Sequence, residues 1–245
     1  MLRRSMLLAS IFVAILTSTN VFAAIWYEQN FDKLKDGDLA GQDEWKPAQG
    51  QASTIVQSKV FFGDSGKAMQ FSNNQEVVRW FDVKKSGTHY LSMFFRKEDD
   101  GGDNTYHVYL GGAVQEWRAG PVIRMGPQSG DPKMIGVHDG NTVKPVAPFK
   151  VKEWQHLRVV FDITNQKYSV YVDGKVIADN FNFRNPAHKT IQWLMIGFDG
   201  GNGIIGYADN IELGEGEGKD AMKRALAVKP EDKLTTTWGE IKSEN

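Results

Sequence analysis

The chain has 245 residues, 41% of them hydrophobic and 24% charged, with a formal net charge of −1 and no cysteine. That length is enough to bury a full core as one all-β domain. The near-neutral balance excludes a general electrostatic attraction to nucleic acid or to an anionic membrane, and the lack of cysteine excludes disulfides, leaving the core and any bound ions to stabilise the fold.

In chain order, the first segment is "MLRRSMLLASIFVAILTSTNVFAA". Arg3 and Arg4, an apolar run from Met6 to Leu16 and small residues up to Ala23 have the order of a secretory signal peptide over residues 1–23, with cleavage after Ala23. The competing reading is a retained anchor, but the run is short for a bilayer, and no second apolar stretch of membrane length follows.

From there to about residue 213 the sequence reads in period two. The runs "EVVRWFDV", "HYLSMFFRK", "TYHVYLGG", "PVIRMG" and "MIGVHDG" read as strands joined by Gly, Asn and Asp turns. In "WQHLRVVFDI" Leu157, Val159, Phe161 and Ile163 share one face, and His156, Arg158 and Asp162 the other. The next run places Tyr168, Val170 and Val172 on one face and ends in Asp173-Gly174, a dipeptide suited to a type I′ hairpin turn. "NFNFRNPAHK" then alternates Phe181 and Phe183 with asparagines before Arg184-Asn185-Pro186 ends ladder bonding, so this knot is read as fixing the crossing to the next strand. "TIQWLMIGF" and "IGYADNIEL" complete about a dozen strands with almost no helix. Such strands predict an all-β, antiparallel β-sandwich of jelly-roll type over residues 24–213. Residues 214–245 read as a C-terminal extension: a flexible Gly/acidic linker, a short helix at "AMKRALAV", and a polar tail expected to be only partly ordered, the alternative being that its Trp238 docks back on the domain or engages a protein partner.

The opening "YEQNFDKLKDGDLAGQDEW", the pair "HVYLGG" and "GPVIRMG", the segment from Lys152 to Ala187 and the closing "YADNIEL" together resemble bacterial extracellular domains of the concanavalin A-like, laminin-G-like jelly-roll superfamily. The resemblance covers roughly residues 25–213. It implies the fold and leaves the function open, since that sandwich carries lectins, adhesion modules, hydrolases and lyases.

Each function is therefore weighed on its own residues. The Glu-x-Asp-x-x-Glu strand of laminarinase-type hydrolases and the Gln-x-His strand of alginate-lyase-like jelly rolls are both missing, and "RKEDDGGD" reads as a solvated loop. No catalytic residue is assigned. The resemblance implies a structural calcium ion where first and last strands meet, with Asp209 and Glu28 as first candidates and Asp32 and Asn210 beside them; strand-end capping is the alternative. "FDGGNG" offers Asp199 and Asn202, although turn formation alone explains it. For glycan binding, the alternation that turns Tyr106, Val108 and Leu110 inward turns His107 and Tyr109 outward, and likewise Trp193 and Met195 beside Leu194 and Ile196. With Arg96, Trp117, Arg118 and Arg124 these make a ligand-lined surface; packing beneath a covering loop is the competing reading for Trp193. The expectation is an exported, non-catalytic, lectin-like or surface-interaction module whose partner is a polysaccharide or glycan. Alternatives are a polysaccharide-active enzyme or an adhesive protein that binds another protein.

Overall fold

The computed structural model describes residues 24–48, 51–63, 66–99, 105–116, 118–200, 203 and 205–226. The expected signal peptide, Trp117, Asn202 and Trp238 lie outside these residues. The strands are β1 (Ile25–Gln29), β2 (Gly37–Asp38), β3 (Lys46–Pro47), β4 (Ile55–Gln57), β5 (Ala68–Ser72), β6 (Glu76–Lys84), β7 (Thr88–Lys97) and β8 (Thr105–Gly111). There follow β9 (Val122–Gly126), β10 (Asp131–Asp139), β11 (Thr142–Pro148), β12 (Gln155–Asp162), β13 (Lys167–Val172), β14 (Lys175–Asn182), β15 (Ile191–Asp199) and β16 (Ile205–Glu215), then one helix, α1 (Ala221–Leu226).

Two sheets form. The first runs β14-β13-β12-β7-β16-β5-β4-β2, with β1 also paired to β16; the second runs β11-β10-β9-β8-β15-β6-β3. All pairs of named strands are antiparallel, as in a jelly-roll sandwich. The inward halves of the alternating strands meet between the sheets: Leu157, Val159 and Phe161 of β12 face a common core with Tyr106, Val108 and Leu110 of β8 and Leu194 and Ile196 of β15. Removing such side chains from water stabilises the fold by roughly 1.5–3 kcal/mol each. The β13–β14 hairpin turns at Asp173 and Gly174, both at positive φ (49° and 77°), as its dipeptide requires.

The stretch expected as a flexible linker is held down. β16 continues to Glu215, the Gly216 amide donates to Thr88 O (2.8 Å), and Arg158 Nη1 donates to Glu217 O (2.7 Å). Helix α1 then sends Arg224 to Glu212 and to the Tyr90 hydroxyl, two side chains on the outer face of the first sheet. Among the described residues, no helix is long and apolar enough to cross a membrane.

Candidate functional site

The outer face of the second sheet is a lattice set by register. One row across it is Glu76–Gly197–His107–Arg124, the next Val78–Met195–Tyr109–Val122, and the third Trp80–Trp193–Gly111. These are the residues that alternation turns away from the core, and they build a second apolar cluster of Val78, Tyr109, Val122, Trp193 and Met195 with Trp80 packed against it.

Covering this face is the loop after β8. Trp193 is 0% exposed, its Nε1 donates to Val114 O (3.3 Å), and its ring lies against Gly111, where a Cβ would collide with the indole. Trp193 therefore packs beneath the loop and is not a ligand contact. His107 is also covered, at 1% exposure. Its ring stacks on Tyr109 (4.5 Å, 10°) and its Nε2 lies 3.1 Å from Glu76 Oε1. Glu76 reaches it across Gly197, a position where a Cβ would meet Glu76 itself.

An open groove of about 440 Å³ remains beside the covering loop. Ala48, Met195 and Tyr109 give it an apolar floor, and Gln51, Glu76, Gln115, Glu116, Arg124, Gln128 and Asp199 supply polar groups. Arg124 donates from Nε to the Tyr109 hydroxyl (3.1 Å), with its guanidinium 5.6 Å from the Tyr109 ring centroid. Burial pushes the Tyr109 phenol up to about 12, partly opposed by Arg124. At the far end Gln128 Nε2 donates to Asp199 Oδ2 (2.6 Å). Asp199 is thus part of the groove, while its turn is pinned separately: the Gly200 and Gly203 amides donate to the side-chain oxygens of Asn74 (2.8 Å) and Asn73 (2.6 Å).

The Asn/Arg/Pro knot has more to do here than its sequence suggests. Besides burying Phe183 in the core, it pairs with the covering loop through the amides of Arg184 and Asn185, which donate to Gly120 O (2.8 Å) and Ala119 O (3.1 Å). Gly112 N–H donates to His188 Nδ1 (2.8 Å), so the proton sits on Nε2, which donates to Glu116 Oε1 (2.8 Å); Asn185 Nδ2 donates to the same oxygen (2.8 Å). The His188 hydrogen bond, helped by Asn185, holds the Glu116 carboxyl below the usual range.

Arg96 belongs elsewhere. It lies on β7 in the first sheet, opposite Tyr207, with Nε donating to Glu98 (2.5 Å). Of the expected ligand residues, the structure brings Tyr109 and Arg124 into the groove, puts His107 and Trp193 beneath it, and separates Arg96 from it. Glu76 could have been found by extending the period-two face from Trp80, and Met195 already stood on that face. Gln51, Gln115, Glu116 and Gln128 come from loops or a turn and carry no periodic signal.

At the expected ion site, Asp209 is 2% exposed, and its oxygens accept the Phe62 (2.9 Å) and Asn210 (2.7 Å) amides. Burial pushes its carboxyl up to about 7; the two amides offset part of this, and the charge of Asp32 adds to it. Asp32 Oδ1 accepts the Lys67 amide (3.0 Å), so two acidic groups clamp the one loop between β4 and β5. Glu28 does not join them: it is exposed and stands opposite Glu212. Among the described residues no group of three or more acidic or histidine side chains is gathered for a metal. Asp209 is buried and Asp32 exposed, and the oxygens of both already accept backbone amides, so a hard cation there would need further oxygen ligands from the backbone or solvent.

Residues 72–209 match the family described as the concanavalin A-like lectin/glucanases superfamily. The chain belongs to that superfamily. No curated protein matches the sequence. Similar solved structures include a sialidase (14% identity, TM-score 0.58, 81% of this chain and 19% of that one). Another is the T. cruzi calreticulin globular domain (9%, 0.56, 90% and 100%). A third is domain 4 of an extracellular arabinanase from Geobacillus stearothermophilus, solved in complex with arabinotriose (15%, 0.52, 79% and 93%). This superfamily member thus spans about a fifth of the sialidase's length, and at these identities the likeness is one of fold.

Proposed function

We propose that this protein is an exported, non-catalytic module that binds glycan in the groove on the outer face of the second sheet. The observation carrying this reading is the lining: carboxylates and carboxamides stand over a floor that includes the face of Tyr109 and the Met195 side chain, a composition suited to sugar hydroxyls and C–H faces. Membership in a superfamily described by its lectins and glucanases agrees with it, as does the arabinanase domain's complex with arabinotriose. Against catalysis, Glu116 is held below the usual carboxyl range, whereas a general acid for glycoside cleavage needs its pKa raised. A calcium ion at Asp209 and Asp32 is proposed as structural only.

The test is retention on a glycan array and in polysaccharide pull-downs. The protein should bind without releasing reducing ends or unsaturated uronates. Gln115→Ala should weaken binding about fivefold, the equivalent of one hydrogen bond of about 1 kcal/mol, at unchanged Tm. Released product, or binding indifferent to both Gln115→Ala and Glu116→Ala, would overturn it.

A further inference from the structure

β3 is only two residues long and pairs with β6 at Val77 and Val78 alone. Beyond them, β6 has no strand neighbour on that side among the described residues. A second cleft of about 310 Å³ opens there, between the free end of β6 and β1 of the other sheet. Its aromatic wall is Trp26, Trp80 and Phe81, all half-buried, with Trp26 edge-on to Phe81 (5.1 Å, 76°). Lys84 Nζ lies 5.0 Å from the Trp26 ring centroid, and Asp82 stands exposed beside it. The apolar surface continues past the cleft in Ile25 (43% exposed) and Val83 (42%).

The position of the cleft is informative. Glu76, in the groove, and Trp80, in the cleft, lie on the same face of the same strand, four residues and roughly 13 Å apart at about 3.3 Å per residue. Trp80 also packs against Trp193, so the second cleft shares its wall with the cluster beneath the groove (6.4 Å between rings). Half-exposed tryptophans with charged hydrogen-bonding groups at their rim are suited to sugar rings; Val78, between Glu76 and Trp80 on that face, is itself buried (1% exposed).

We infer that the β1–β6 cleft is a second subsite for the same glycan chain, so that the protein recognises extended internal stretches of a polysaccharide rather than its ends. The inference rests on the glycan-binding reading of the groove. It commits to a chain running along β6, stacked on Trp26 and Trp80 at one end and bonded by Glu116, Gln115 and Asp199 at the other.

The experiment is calorimetric titration of the mature protein with neutral oligosaccharide ladders cut from arabinan, xylan and mixed-linkage glucan, from disaccharide to octasaccharide. Affinity should rise at least tenfold with length for a bound ladder. Trp26→Ala, and independently the surface pair Asp82→Ala with Lys84→Ala, should remove that gain while leaving the shortest bound fragment unchanged. The surface pair keeps the test open if Trp26→Ala unfolds. Affinity that stays flat with length, or a length gain that survives the surface pair and a folded Trp26→Ala, overturns the second subsite while leaving the groove intact. Self-association abolished by Trp26→Ala would assign the cleft to a second copy of the chain and also overturn it. If no ladder binds, the groove reading falls and the subsite with it.

Discussion

Asp209 shows how one side chain can make stability depend on pH. Its carboxyl sits near 7 in the fold and near 3.9 in an unfolded chain. Folding therefore favours the protonated form: full stability holds below about pH 4 and is lost progressively as pH rises through 7. Tm should decline across that window in calcium-free buffer, other titrations being subtracted by comparison with Asp209→Asn, in which the decline should be absent. If the proposed calcium is bound, the added ion should raise Tm above pH 7 in the native protein and leave Asp209→Asn unmoved, and a chelator should reverse the rise. Equal melting curves with and without calcium would remove the ion from the account. The sequence pointed to Asp209 through its place in the last strand. It put Glu28 rather than Asp32 first as neighbour, because it could not show how the chain bends after β1, where Phe31 takes a positive φ of 63°.

Among the elements, the loop after β8 and the knot after β14 work as one unit, joined by backbone bonds and by the His188 ring. His188 accepts at Nδ1 and donates at Nε2. Leucine there strands the Gly112 amide and frees Glu116, which should cost about 1–3 kcal/mol of stability and weaken glycan binding several-fold. Glutamine can both accept and donate, so His188→Gln should recover part of the binding where His188→Leu does not; equal binding by both variants would show that Glu116 needs no support. Strand periodicity was readable wherever a core lies on one side, as β8, β12, β13 and β15 show. What covers the other side was not readable, because the cover is remote in sequence: Val114 closes over Trp193 from 79 positions away. His156 repeats the lesson on the first sheet. Grouped by alternation with Arg158 and Asp162 away from the core, it is nonetheless 2% exposed, beside Phe94 and bonded to Ser92 Oγ (2.7 Å).

For the whole molecule, the all-β sandwich was the best-marked feature of the sequence, since a dozen alternating runs agree on it. The groove was the least marked, because it draws on β6, β8, β9, β15 and three connecting segments at once. The proposed export is tested at this scale as well. Protein recovered outside the cytoplasm should begin at Ala24 on N-terminal sequencing, and an intact Met1 there would refute the proposed processing.

The clasp of Arg224 on Glu212 and Tyr90 has a directional consequence. It fixes the point of departure of the chain after α1 on the outer side of the first sheet, while the groove opens from the outer side of the second. Helix α1 and the groove thus occupy opposite outer faces of the sandwich, so a ligand in the groove and a contact made by α1 need not compete for surface.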